Sequence, residues 1–402
     1  MRKILEGIKV VEVAAMAAGP SAGVILADFG AEVVKIEPPS GDPWRNGHLL
    51  PGMPKSETPY TTFIHNRTKK SVALNLKKPE AQEVLNKMVE TADVFLTNSP
   101  IRVAEELNHA YEDIRAINPR IIYASVNGFG YNGPDRHNPG FDMTSWFAET
   151  GLMEEFRPQD SEPARQPVGL GDMNTATSLY AAIATALFHR ERTGEGTKVS
   201  TSLLENGIWS NASMVQPALV NAPPMKKYKA EEWPNPLAGA FYRTRDGRYV
   251  IIVELNPANF SKLAKALDAG HLTEDPRFAS PQLWMKYNAE LIAEIQKLIG
   301  ELDTDEVVAR FRAAGTNFGL CKRTSEVVSD ENAIANGCFP EVVGTDGIRT
   351  VANPLHIEGV ETVPPQLPPV VGQDSAEQLM ALGYSDAEIA ALVETGAVAL
   401  AR

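Results

Sequence analysis

Short, apolar, β-branched runs alternate with helical stretches from Ile8 to Val126, and this alternation restricts the fold more than any other feature of the chain. IKVVEVA (Ile8 to Ala14) is nearly all apolar, as a strand buried on both faces must be. The turn AAGPSAG, the helical VILADFG and a second strand, AEVVKIE, follow it. SVALNL, the helix PEAQEVLNKMVETA, the strand DVFLTN, a helical stretch through Ile117 and the strand IIYASV repeat the pattern. Parallel neighbours need a helix-length crossover between them, so the expected class is α/β: an open parallel sheet covered by helices, with ligands near the carboxyl ends of its strands.

The rest of the chain reads differently. Met173 to about Leu219 is expected to be mainly helical, NAPPMKKYKAEEWPNP reads as a linker, and Phe241 to Leu255 as a hairpin turning at Arg245-Asp246-Gly247. Helical patterns then run to Ala314, which suggests a smaller α+β domain, and the tail holds two short helices separated by Gly383, with Ser385 as a cap. At 402 residues the chain exceeds one ordinary core and calls for two or three domains.

Charge and composition exclude some functions. A net charge of -13 argues against nucleic acid as a partner, because phosphate contacts need clustered cations. No apolar run reaches the ~18 residues of a membrane span. Glu6, Lys9 and Glu12 interrupt any leader-like segment at the start, so the expected location is cytoplasmic. Cys321 and Cys338 have neither CxxC nor metal-ligand spacing and are expected to be buried, inert thiols.

Four segments carry candidate chemistry, and each has a plain structural alternative. AAGPSAG precedes a strand ending in Glu37, but Gly19 and Gly23 lack the G-x-G-x-x-G spacing of a dinucleotide turn, so close helix-strand packing is the better reading. Arg67, Lys69, Lys70, Lys77 and Lys78 form the densest basic cluster, which fits either bound phosphate or a solvated loop. SVNGFGYNGPDRHNPGFD is rich enough in glycine for backbone amides to approach a ligand, and His137 within it is either a general base or simply exposed. Asp172, in VGLGDMNTA, is either an N-cap or a carboxylate nucleophile at a helix start, and the two readings are compatible.

Taken together the segments resemble the family III CoA-transferases, a family that includes α-methylacyl-CoA racemases. AAGPSAGVILADFGAEVVKIEPPSGDPWR, NRTKKSVALNLKKPE, DVFLTN, NPRIIYASVNGFGYNGPDRHNPGFD, GLGDMNTA, RTGEGTKVSTSLLE and GYSDAEIAAL recur in family order over nearly the whole chain. The resemblance implies a Rossmann-like large domain formed by 1–220 and 331–402, a linker and small α+β domain at 221–330, and an interlocked homodimer. It implies CoA transfer from an acyl-CoA to a small carboxylic acid, with coenzyme A as substrate, no resident cofactor and no metal. Asp172 would be the nucleophile, forming an acyl anhydride and then an aspartyl-CoA thioester.

The same resemblance assigns CoA contacts to Met16 and Ala17 at the first turn, Leu74 and Lys77 at the adenosine and phosphate end, Asn98 and Ser99 beside the ADP moiety, and Gly128 and Phe129 in the active-site loop. Two positions depart from the pattern. Ala17 stands where a glutamine is frequent, and Glu106 replaces a CoA-contacting arginine, for which Arg102 is the expected substitute. Phe141 stands where the racemases carry a histidine base, which favours acyl exchange over α-proton transfer. Phe141, Trp146 and Phe147 are expected either to line an apolar acid pocket or to pack as core. A racemase, a nicotinamide dehydrogenase and a non-catalytic CoA-binding protein are the rival readings.

Overall fold

Neighbouring valines in the first strand belong to different cores: Val10 packs with Leu26, Val33, Leu96 and Ile183, and Val11 with Val34, Val72, Leu85 and Phe95. Alternate side chains of a strand point to opposite faces, so an uninterrupted apolar run is what a sheet covered on both sides requires. The computed structural model, which describes residues 3–229 and 232–401, contains such a sheet.

The strands in chain order are β1 (Lys9–Val13), β2 (Glu32–Glu37), β3 (Lys70–Leu74), β4 (Val94–Thr97), β5 (Ile122–Asn127), β6 (Thr197–Ser202), β7 (Ala238–Arg243), β8 (Tyr249–Val253), β9 (Phe318–Leu320) and β10 (Val398–Ala399). Seven of them form one sheet in the order β10-β3-β2-β1-β4-β5-β6. All its pairings are parallel except that of β10 with β3. The order reverses at β1, whose neighbours β2 and β4 lead away in opposite directions. Crossovers diverge at such a point and leave a crevice beyond the strand ends.

One compact unit, 1–154 with 164–220 and 332–402, carries this sheet; the other, 155–163 with 221–331, carries the antiparallel sheet β7-β8-β9 and its own core around Tyr242, Phe278, Trp284 and Phe311. β7 and β8 form the expected hairpin, with Gly247 at φ +84° in its turn. The assignment of 155–163 to the second unit has no counterpart in the sequence reading. Ser385 caps the helix Asp386–Glu394 through a reciprocal pair with Glu388.

The stretch from Met173 to Leu219 is mainly helical as expected, though β6 interrupts it, which the pattern TKVSTS concealed because an edge strand on the rim of the sheet needs no continuous apolar run. One expectation is corrected. The cysteines are not buried: Cys321 is exposed and Cys338 partly so. Among the described residues no helix is long and apolar enough to cross a membrane.

Candidate active site

The crevice at the reversal point is a cleft of about 600 Å³ in the first unit. Its walls come from the carboxyl ends of four strands: Val13 to Ala18 after β1, Glu37 and Pro38 after β2, Asn98 to Arg102 after β4, and Val126 to Gly128 after β5. The loop 136–142, Val168 and Asp172 complete it.

Asp172 is placed by two local devices. The long helix Leu170–Thr193 starts from Gly169, whose φ of +87° suits glycine and turns the chain abruptly into the helix. Asp172 is the third residue of that helix, so the N-cap reading is corrected: the cap is Gly169, and the carboxylate of Asp172 is not spent on capping. A π-helical turn, Asp142–Ala148, grips the same corner. Asp142 accepts hydrogen bonds from the amides of Gly169 (2.5 Å) and Met143 (2.8 Å). Trp146 packs so tightly on Gly171 that a Cβ there would lie 2.5 Å from the ring.

These surroundings set the acidity of Asp172. Burial first, and the neighbouring charge of Asp142 second, raise its carboxyl from 3.8 to about 7. That rise corresponds to about 4 kcal/mol, more than the about 0.3–1 kcal/mol by which a helix start usually favours an anion. Burial therefore prevails, and the result is a carboxylate with the basicity of a good nucleophile that is half ionised near neutrality. Asp142 is raised as well, by its own burial, against the pull of its two amide donors.

The loop after β5 needs its glycines for close approach. A Cβ on Gly128 would lie 2.5 Å from the Cα of Gly140, so the two limbs of the loop touch through backbone alone. Phe141, 57% exposed, faces the cleft beside Val168 and Leu203, whereas Trp146 and Phe147 are core residues packed with Leu152 and Leu203. His137 is an exposed member of the cleft wall whose Nε2 accepts from Arg136 Nε at 3.1 Å.

Of the residues assigned from sequence, the structure gathers Met16, Ala17, Asn98, Ser99, Arg102, Gly128 and Asp172 around the cleft. Leu74 lies in the core, Lys77 is exposed in the turn after β3, and Phe129 is partly buried; none of these three lines it. The basic cluster divides. Arg67 is buried against Asp28, Lys69 against Glu12, and Lys70 pairs with Glu32 and Glu377, while Lys77 and Lys78 have no such pair among the described residues. Gly19 and Gly23 fall inside the first helix, Ala18–Asp28, where a Cβ would meet Ala14 at 2.9 Å and collide with the carboxylate of Glu12: they permit close helix-strand packing.

Sequence reasoning missed Lys35, Asp42, Trp44 and Arg136. The signal for Lys35 was present, since a lysine within VVKIE, in a strand covered on both faces, must find an anion inside the protein.

A family model described as CoA-transferase family III matches residues 5–375. The chain is 30% identical over 393 residues to (R)-2-hydroxy-4-methylpentanoate CoA-transferase of Clostridioides difficile, covering 96% of this chain and 97% of that protein. It is also 30% identical to cinnamoyl-CoA:phenyllactate CoA-transferase of Clostridium sporogenes, over 96% of this chain and 95% of that one. Among solved structures, a CAIB/BAIF family protein from Brucella suis superposes with a TM-score of 0.85 at 28% identity, covering 95% of this chain and all of the other.

Proposed function

Because this chain belongs to CoA-transferase family III, and is by that membership an enzyme of CoA transfer between acyl-CoAs and acids, we propose that Asp172 carries the transfer covalently. The observation that carries this reading is a half-buried carboxylate with its acidity moved to about 7 on the wall of the cleft at the point where the strand order reverses. A Asp172 carboxylate oxygen attacks the thioester carbonyl carbon, the C–S bond breaks, and CoA leaves as its thiolate. The thiolate then attacks Cγ of Asp172, breaking the anhydride C–O bond; the donor acid leaves as a carboxylate and an aspartyl-CoA thioester remains. An acceptor carboxylate runs the two steps in reverse and departs as the new acyl-CoA. Each step exchanges one acyl bond for another of similar energy, which is what a covalent intermediate contributes.

CoA lies along Met16, Ala17, Asn98, Ser99 and Arg102 in this reading, with Lys77 nearer the phosphates. Phe141, Val168 and Leu203 offer the acid an apolar wall, which suits a branched or aromatic monocarboxylic acid of the kind named for the two relatives above. Phe141 cannot move a proton, and Asp142 is occupied by two backbone amides, so the site favours acyl exchange over racemisation. The working unit is a homodimer: Phe188 and Trp209 are 63% and 80% exposed, and no residue of the apolar helix Ala212–Leu219 is buried within one chain. Sedimentation should give twice the mass of one chain.

Intact-protein mass spectrometry after incubation with a panel of acyl-CoAs tests the chemistry. A CoA or acyl adduct that maps to Asp172, reacts with hydroxylamine and is missing from Asp172→Ala is expected. No adduct with any donor, together with α-deuterium exchange in the absence of an acceptor acid, would sink this mechanism in favour of proton transfer.

A further inference from the structure

We infer that Lys35 is a positioning residue for acyl transfer, holding the Ala14–Ala17 turn of the cleft in its left-handed form through Asp42. The inference rests on the reading that Asp172 reacts in this cleft. Lys35 has no exposed surface; its Nζ donates to the carbonyl of Ala14 at 2.5 Å and to Glu12 Oε1 at 3.3 Å, and it forms an ion pair with Asp42 Oδ2 at 3.0 Å. Asp42 in turn accepts from the amides of Met16 (3.1 Å) and Trp44 (2.9 Å) with its other oxygen. One buried ammonium thus holds both ends of the turn, directly at Ala14 and through Asp42 at Met16. Asn98 holds the middle, accepting from the Ala15 amide (2.9 Å) and donating to its carbonyl (2.6 Å).

The turn needs this grip. Met16 has φ +67°, a conformation that a residue with a Cβ avoids unless its surroundings impose it. The turn delivers Ala17 and Ala18 to the cleft at the start of the first helix, where amides have no partners within the helix and no side chain caps them. The direction of those donors relative to Asp172 follows from the angle at Met16. The neighbouring lysine is built differently. Lys69 is also buried, but it donates to Glu12, Pro20 and His65, and among the described residues it has no hydrogen bond to the turn.

A double-mutant cycle separates positioning from plain stability, read as the rate of adduct formation on Asp172 under single turnover. Lys35→Met should slow the folded enzyme about 100-fold, the usual consequence of a displacement near 1 Å at a reacting centre. In the Met16→Gly background the same substitution should cost less than about a tenth of that factor, because glycine adopts the left-handed angle unaided. Lys69→Met should lower the unfolding midpoint without slowing the folded fraction. Equal costs of Lys35→Met in both backgrounds, or equal slowing by Lys69→Met, would overturn the inference. If Lys35→Met does not fold, Asp42→Asn enters the same cycle with the same two outcomes. Wild-type enzyme that forms no adduct on Asp172 refutes the mechanism proposed above, whereas wild type that forms it without coupling between positions 35 and 16 refutes only the role of Lys35.

Discussion

In the mechanism proposed above, Asp172 couples reactivity to instability. With its carboxyl at about 7, the attacking anion is lost as pH falls through that value. The rate of adduct formation should therefore drop about tenfold per pH unit below 7 and level off above it, which a single-turnover pH series measures. The sign for stability is the opposite. A carboxyl raised in the folded state from an unfolded value near 3.8 destabilises the fold above about 7, and the penalty disappears below 3.8, where both states hold the proton. Asp172→Asn, inactive for want of an anion, should accordingly be more stable than wild type by about 2 kcal/mol at pH 8, discounted for partial exposure, and no more stable at pH 3.5. Urea titrations at the two pH values check this.

At the scale of elements, the cleft is where a π-helical turn, a glycine corner and a helix start meet. The turn Asp142–Ala148 fixes the corner through the Asp142–Gly169 hydrogen bond and the Trp146–Gly171 contact. Extra residues in a helical turn often mark functional sites, because they aim side chains that a regular helix would not. Asp142→Asn keeps an acceptor for the Gly169 amide but removes the charge that forms the smaller part of the rise at Asp172. The pH limb of adduct formation should move below 7 while staying well above 3.8, since burial persists; a limb that does not move would mean that the two carboxyls are not coupled.

Across the whole molecule, buried histidines make the fold sensitive to acid. Burial, with the charge of Lys69 second, pulls His65 down to about 3, and its Nδ1 lies 2.7 Å from Ser21 Oγ. Burial pulls His109 down to about 4, and neither of its ring nitrogens has a hydrogen-bond partner among the described residues. Both are held neutral in the fold and take up protons near 6.5 once unfolded, so their stabilising effect is complete above 6.5 and is lost progressively as pH falls towards 3–4. Between pH 6.5 and 5 the unfolding free energy should fall by about 2–4 kcal/mol from these two groups together, and His109→Phe should remove about half of that loss. Denaturant titrations across that range decide it; an equal loss in the variant would assign the acid sensitivity elsewhere.

How much of this was legible in the chain differs by feature, for physical reasons. Strand placement from Ile8 to Val126 followed from periodicity, because a sheet covered on both faces demands apolar runs, but most of the expected turn AAGPSAG is helix, Ala18–Asp28 beginning within it, and the helix Tyr60–Asn66 was not expected. β6 escaped, since a rim strand is free of that demand. The ordered motifs were enough to place Asp172 at a helix start, because glycine and aspartate signal such corners locally. Its acidity was not legible, for burial and the nearness of Asp142, thirty positions away in sequence, exist only once the π-helical turn closes on Gly169. Composition likewise counted Arg67 and Lys69 as available cations, while the fold paired them internally with Asp28 and Glu12. Local chemistry determined which elements form and where the proposed nucleophile sits along the chain; desolvation and long-range pairing, which depend on every neighbour at once, decided which charges stay free to act.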